Sequence, residues 1–343
     1  KPMGTLSRSI DPATGQTVFY DPRWFGQHGI GRFAAEVTAR LPRAIPLQIH
    51  GKRLALWDPA MLSLALAGKT SGIYFSPGFN PPLRSPIPIS FTIHDLIHLH
   101  VPEESSTLRR LFYRCVVLPA ARRACTIFTV SEFTKERILE WSGIPADRVT
   151  VVGNGRSPAF TPEGPRHSLG RPYFLHVGRR VAHKNIPRLL QAFRDSRVSR
   201  NACLLFTGEK DEITAKCIDR LGIHDSVRFT GPLSDEALAA VYRGAIALLF
   251  PSLYEGFGLP IIEAMACGTP VLTSNVTAMP EVAGTHASVL ISPYDTEEIS
   301  HAIDRLAHDA CFRSQLISNG LDRSAIFSWD ATARYISMAL ASI

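Results

Sequence analysis

The stretch "LLFPSLYEGFGLPIIEAMACGTPVLT", residues 248–273, carries two glutamates, Glu255 and Glu263, eight positions apart around a Gly-Phe-Gly-Leu-Pro turn. Its opening apolar run reads as a strand and "LYEGFG" as the loop that follows. Pro260 fits the first position of a helix, where its missing N–H is no loss. Gly268 fits the position just past that helix, and Pro270 the start of the next strand. Glu255 is therefore expected on a loop at a strand's carboxyl end, and Glu263 in or just past the first helical turn. Backbone N–H groups of Gly256, Phe257, Gly258 and Leu259 beside a helix amino terminus suit a phosphate. A carboxylate on each side suits sugar hydroxyls. Taken singly, Glu263 reads equally as a partner of the helix dipole and Glu255 as a solvated loop residue. Together, at a strand-end crevice, they point to a ligand.

A second cluster is "LHVGRRVAHKN", 175–185. Arg179 directly follows a strand and Lys184 stands just before a helix. Two cations at the mouth of a sheet can neutralise a departing diphosphate, the role a metal ion would otherwise fill. No Asp-x-Asp occurs in the sequence, so no metal is expected. Arg180 reads as a solvated loop residue. In "DPRWFGQHGIGRFAAE", 21–36, Gly29 and Gly31 are expected in a loop between the first strand and a helix. Ala34 stands where a dinucleotide fingerprint needs a third glycine, so that loop is a weak phosphate signal on spacing alone. His94 closes a strand in "FTIHDL" and would face a cleft, although a lone histidine is more often structural.

These residues need strands and helices to hold them. Short β-branched and aromatic runs fall at 17–21, 45–50, 72–78, 88–95, 125–131 and 149–155, then at 173–178, 203–208, 227–231, 245–252, 270–274 and 288–292. Several are almost wholly apolar, as strands buried on both faces of a parallel sheet are. Helical patterns such as "RFAAEVTARL", "NIPRLLQAF", "DEALAAVYRGA" and "EEISHAIDRLA" intervene, so the class is α/β. "SPAFTPEGPRHSLGRP", 157–172, has four prolines, two glycines and no periodicity, and reads as a linker. Two doubly wound domains facing a cleft are expected. Ligands in such sheets lie outside the carboxyl ends of the strands.

At 343 residues, 45% hydrophobic and 20% charged, the chain can bury two ordinary cores. Residues 1–168 hold 20 Lys+Arg against 12 Asp+Glu, a balance of +8, and the remainder 17 against 18, or −1, which sum to the net +7. The basic first half suggests an anionic partner. Nucleic acid is disfavoured, because no aromatic stacking array accompanies the charge. No apolar run approaches the roughly 20 residues of a membrane span. The opening "KPMGTLSRSIDPATGQ" lacks the apolar core of a signal peptide and reads as a lead-in to the first strand. Six cysteines at 115, 125, 203, 217, 267 and 311 form no Cys-x-x-Cys pair and read as buried or half-buried thiols of a reducing cytoplasm.

The run "EGFGLPIIE" resembles the E-x7-E motif of retaining glycosyltransferases of GT-B fold, specifically glycosyltransferase family 4. "GIGRF" at 29–33 resembles that family's glycine-rich first loop, "IHDL" at 93–96 its cleft histidine segment, and "VSEFTKERI" at 130–138 the segment ending its first domain. "VGRRVAHKN" and "GTPVLTSNVTAMPEVAG" match on either side of the motif. The resemblance implies two Rossmann-like domains, an acceptor-binding one over 1–160 and a nucleotide-sugar-binding one over 172–325. A terminal helix over 326–343 would cross back to the first. It implies transfer of a sugar from a nucleoside diphosphate-sugar to an acceptor hydroxyl with retained anomeric configuration and no cofactor. In that scheme Arg179 and Lys184 bind the diphosphate, and Glu255 with the 256–259 backbone holds the donor sugar. Glu263 accepts the ribose hydroxyls, His94 touches the sugar near the reacting carbon, and Gly29 and Gly31 approach the phosphate. The base lies against the 229–233 turn, which includes Phe229, Gly231, Pro232 and Leu233.

The short length and the "GIGRF" and "HDL" segments look most like bacterial mannosyltransferases of O-antigen or exopolysaccharide synthesis, which use GDP-mannose. Enzymes using dTDP-rhamnose look similar, and a donor that is dTDP-rhamnose or a UDP-sugar is the alternative. The segment "STLRRLFYRCVVLPAARRAC", 106–125, with Arg109, Arg110, Arg114, Arg122 and Arg123, could seat a saccharide or polyprenyl-linked acceptor at a membrane surface; an ordinary buried helix with a solvated basic face reads equally well. A peripheral position on the inner face of the cytoplasmic membrane would follow from the former. Rival classes are a sugar-nucleotide epimerase of the same fold, which needs no acceptor, a non-catalytic nucleotide-sugar binder, and a dinucleotide oxidoreductase, whose phosphate fingerprint is missing.

Overall fold

A computed structural model describes residues 16–343. The lead-in reading of the opening segment falls, but for Gln16, outside the described residues. Among those described, twelve strands form two six-stranded sheets, and every pairing within them is parallel. The first contains β1 (Val18–Tyr20), β2 (Ala44–Pro46), β3 (Ile73–Ser76), β4 (Ile89–Thr92), β5 (Thr126–Thr129) and β6 (Val149–Val151), ordered β2-β1-β3-β4-β5-β6. The second contains β7 (Tyr173–His176), β8 (Cys203–Phe206), β9 (Val227–Phe229), β10 (Leu248–Phe250), β11 (Val271–Ser274) and β12 (Val289–Ile291), ordered β12-β11-β10-β7-β8-β9. Each of the twelve apolar runs overlaps a strand. The run at 45–50 is the poorest fit, because β2 is an edge strand that stops at Pro46; proline lacks the N–H a ladder needs and is confined to edges.

Helices fill the crossovers: α1 (Gly29–Thr38), α2 (Asp58–Leu66), α3 (Ile97–His100), α4 (Thr107–Phe112), α5 (Leu118–Arg123) and α6 (Glu132–Ser142) in the first half. The second half has α7 (Ile186–Asp195), α8 (Glu212–Leu221), α9 (Asp235–Gly244), α10 (Leu259–Ala266), α11 (Met279–Ala283), α12 (Thr296–His308), α13 (Ala310–Ala325) and α14 (Trp329–Ala341). This is the α/β GT-B architecture of two doubly wound parallel sheets. One correction concerns α1. Gly29 and Gly31 lie in its first turn rather than in a loop, because the His28 Nδ1 accepts the Gly31 N–H at 2.9 Å and starts the helix there.

Each sheet has its own apolar cluster, one around Tyr74, Phe91 and Ile127, the other around Phe174, Leu204 and Leu249. A third cluster joins the halves, running from Phe33 and Phe128 through Phe160 to Tyr242, Phe257 and Ile262. α14 contributes Trp329, Ile336 and Leu340 to it, at the spacing of one helical face. Burial of such side chains stabilises by about 1.5–3 kcal/mol each. The ring of Trp329 lies 6.2 Å from Phe33 of α1, and Asp330 accepts from Arg40 at 2.7 Å. The cysteines are free, but Cys115 and Cys311 are exposed rather than buried, since both sit on outward helix faces.

Candidate active site

In the second sheet the strand order reverses between β7 and β10, the place where an open α/β sheet splits into a crevice. The loops leaving these two strands are the two chemical clusters of the sequence. The β7 loop carries Arg179, Arg180 and Lys184, and the β10 loop carries Glu255. They meet: Lys184 Nζ donates to Glu255 Oε1 at 2.7 Å, and both side chains are only 12% exposed. Lys184 also lies 4.4 Å from the centre of the Phe250 ring. Burial pushes the Glu255 carboxyl up, but the charges of Lys184 and His183 outweigh it and hold the group below its ordinary value. Glu255 is thus an ionised carboxylate at neutral pH.

Arg179 and Arg180 divide the work differently from expectation. Arg179 is exposed, and its side chain makes no hydrogen bond or ion pair among the described residues. Arg180 is not solvated. It donates to the Asp211 carboxylate and to the carbonyls of Thr207 and Glu209, bracing the loops after β7 and β8. Its guanidinium also lies 5.5 Å above the Phe229 ring.

The β10 loop leads into α10, whose preceding residue Gly258 has φ +94°, a left-handed conformation that suits glycine. Pro260 occupies the first turn, and no side chain caps the helix start. The Ile261 N–H is taken by the Gly258 carbonyl at 3.0 Å, so the Leu259 N–H is left at the helix start with the positive end of the helix dipole. Across the cleft, a side chain added at Gly29 would meet Leu259 Cδ1 at 3.5 Å, so the starts of α1 and α10 face each other. Gly256 is in tighter contact still: a Cβ there would lie 2.1 Å from the His94 carbonyl oxygen. Its own carbonyl accepts from Ser131 Oγ at 2.7 Å.

His94 is buried at the end of β4, edge-on to Phe33 at 4.7 Å. Its Nε2 is 2.8 Å from the Pro77 carbonyl, which can only accept, so Nε2 carries the proton and Nδ1 keeps a lone pair. Burial lowers its pKa to about 4, against the pull of that carbonyl and with a further push from His28. The imidazole is therefore neutral at physiological pH and can accept a hydroxyl hydrogen at Nδ1.

Glu263 lies on α10 with both oxygens engaged. Oε1 accepts from Arg32 Nη1 at 2.6 Å and Oε2 from the Tyr242 hydroxyl at 2.9 Å. Burial dominates and raises its pKa, with Arg32 and Tyr242 drawing it partly back. The same Arg32 donates from Nη2 to Asp235, the first residue of α9, at 2.6 Å. Phe229, Gly231, Pro232 and Leu233 precede that helix. Their turn is pinned to the β8 loop by the Gly208 N–H to the Gly231 carbonyl at 3.0 Å, and a groove of about 490 Å³ runs along it past Thr230, Arg166 and His167.

Other bridges across the cleft are His183 to Glu104 at 3.0 Å and Glu281, whose carboxylate accepts the Glu132 and Phe133 amides at 2.9 and 3.2 Å and so caps α6. Arg109, Arg110 and Arg114 do not join the glutamates. They lie on the outward face of α4 and the π-helical turn after it, beside Leu108 and Leu111, which are 78% and 53% exposed. Further along 106–125, Tyr113, Val117, Ala120 and Ala121 are buried, so the segment has a packed face as well as an exposed basic one. Arg109 reaches the Glu104 carbonyl at 2.7 Å, which sets α4 at the rim of the cleft. Among the described residues no helix is long and apolar enough to cross a membrane. Sequence reasoning missed Arg32, Tyr242, Asp235 and Glu281; Arg32 stands inside the quoted "GIGRF" run, but nothing local marks its partners.

Comparison with known proteins supplies the remaining findings. The profile of Glycosyltransferase Family 4 matches residues 20–160, and that of Glycosyl transferases group 1 matches residues 160–323. The chain is 32% identical over 302 residues to O-antigen chain mannosyltransferase B of Escherichia coli, covering 84% of this chain and 78% of that one. It is 30% identical over 228 residues to the serotype-specific mannosyltransferase WbdA of Escherichia coli, of whose length it spans 28%. Among solved structures, sucrose-phosphate synthase from Thermosynechococcus elongatus superposes with a TM-score of 0.76 at 21% identity, over 94% of this chain and 98% of that one. Anabaena HepE in complex with UDP and glucose superposes with a TM-score of 0.77 at 17% identity, over 96% of this chain and 100% of that one.

Proposed function

The chain belongs to glycosyltransferase family 4, and from that membership we propose that it moves mannose from GDP-mannose to a saccharide or lipid-linked saccharide acceptor, with retention, in the synthesis of a cell-surface polysaccharide. The observation that carries this reading is the meeting of Lys184 and Glu255 at the switch point of the second sheet, beside the free Arg179 and the uncapped start of α10. The two relatives named above as mannosyltransferases support the sugar.

In this reading the diphosphate lies against Arg179, Lys184 and the 256–259 backbone, and the base against the turn from Phe229 to Leu233. Breaking the anomeric C–O bond leaves positive character on the sugar carbon and negative charge on the departing phosphate. Fixed cations and the helix terminus stabilise that charge in the role of a metal ion. The ionised Glu255 steadies the sugar, and His94 accepts a sugar hydroxyl through Nδ1. The acceptor hydroxyl attacks from the face the phosphate leaves, giving its proton to that phosphate. The exposed Leu108, Arg109, Arg110, Leu111 and Arg114 suit an acceptor presented at an anionic membrane surface.

A thermal-shift screen without added metal, using GDP, UDP, dTDP and ADP and their sugar conjugates, tests the donor, because stabilisation follows mass action. A selective response to GDP and GDP-mannose is expected. A dTDP response would transfer the assignment to rhamnose. Turnover of the sugar nucleotide with no acceptor present would replace it with an epimerase.

A further inference from the structure

Arg32 lies against the residues assigned to the nucleoside. It rises from the first turn of α1 in the first half and forks between two carboxylates of the second, Glu263 on α10 and Asp235 at the start of α9, each at 2.6 Å. Its guanidinium also sits 5.7 Å from the Phe160 ring. Glu263, the group assigned to the ribose hydroxyls, is 6% exposed and holds Arg32 on one oxygen and Tyr242 on the other. Asp235 stands two residues past the turn assigned to the base, after Ser234. With the carboxylate 6% exposed and Arg32 on its outer side, a ribose diol would have to displace Arg32 to reach Glu263. Tyr242 is fully buried and cannot give way, whereas Arg32 is 25% exposed and keeps a second carboxylate to rest on.

We propose that Arg32 is a positioning residue that exchanges with the donor's ribose at Glu263. Without donor, Arg32 holds Glu263 and ties α1 to α9 and α10. When the ribose hydroxyls take Glu263, Arg32 gives up that oxygen and stays on Asp235, so occupancy of the donor seat is felt at the helix carrying Gly29. The inference rests on the donor reading above. Its signature is competition: a seat filled by a protein side chain binds its ligand more weakly by the fraction of time it is filled.

The test measures GDP and 2′,3′-dideoxy-GDP binding by calorimetry at pH 8, with wild type and Arg32→Met. Exchange predicts that the variant binds GDP roughly three- to tenfold more tightly, while the dideoxy compound, which has no diol to place, changes less than about twofold. Arg32→Lys, which keeps a cation but cannot fork between two carboxylates, shifts GDP the same way by less. Equal weakening of both ligands would make Arg32 a diphosphate ligand or a plain brace and would overturn the proposal. Amide exchange of the ligand-free proteins reads the Arg32 bridge without any ligand, and binding separates the two readings. If neither ligand binds either protein, the donor reading falls and the exchange with it, even where faster exchange in α1 of Arg32→Met registers the bridge. If GDP binds both proteins equally, the inference alone falls.

Discussion

Glu255 and Lys184 are a buried pair whose charges justify each other, so the two substitutions have different signatures. Glu255→Ala is expected to cut turnover by at least about a hundredfold while leaving part of the donor affinity, because its effect lies on the developing sugar charge. Lys184→Ala is expected mainly to weaken nucleoside diphosphate binding. Each removes one partner of a buried pair and should also destabilise by about 3–5 kcal/mol, so melting curves must accompany the kinetics. Equal loss of turnover and donor affinity in Glu255→Ala would reduce the residue to a support. Two buried histidines bear on pH. His94 and His176 have pKa values near 4 because burial opposes their charge, whereas an unfolded histidine titrates near 6.5. The unfolded chain therefore binds more protons between these values, and stability is expected to fall as pH drops from about 6.5 toward 4. Thermal melts across that range should show the fall, shallower in His176→Leu; a flat wild-type profile would contradict it.

The β10–α10 connection joins the halves as well as lining the proposed donor seat, and Gly256 is where both duties would meet. Gly256→Ala would place a methyl 2.1 Å from the His94 carbonyl, closer than any real contact. The expected outcome is two intact sheets with a wider cleft: a larger radius of gyration by X-ray scattering and turnover at least about tenfold lower. Wild-type dimensions and rate would show that the loop simply yields. At this scale most of the molecule was legible in the sequence. Parallel strands buried on both faces are continuous apolar runs, and Pro260 and Gly268 bracket α10 as proline and glycine usually do. The start of α1 was not legible, because its cap is His28, outside the Ser, Thr, Asp and Asn set that marks helix starts. The reach of the 45–50 run was overstated because edge position cannot be seen in a single strand.

For the whole molecule, the two loops of the proposed donor seat were legible as structure because each is local: a strand, a turn, a helix start. What closes the seat was not. Arg32 and Glu263 are 231 positions apart, and Glu281 caps a helix 149 positions away; neither relation has a local pattern to betray it. The linker at 157–172 is likewise more than a tether, since Phe160 is packed into the shared core and His167 donates its amide to the Ala240 carbonyl. The fork of Arg32 has a consequence for inheritance. A two-sheet architecture invites recombination, in which a proven donor-binding half is grafted to a new acceptor-binding half. Here one finger of the donor half's lock is kept in the other half, so a graft would succeed only where position 32 and its two carboxylates travel as a matched set.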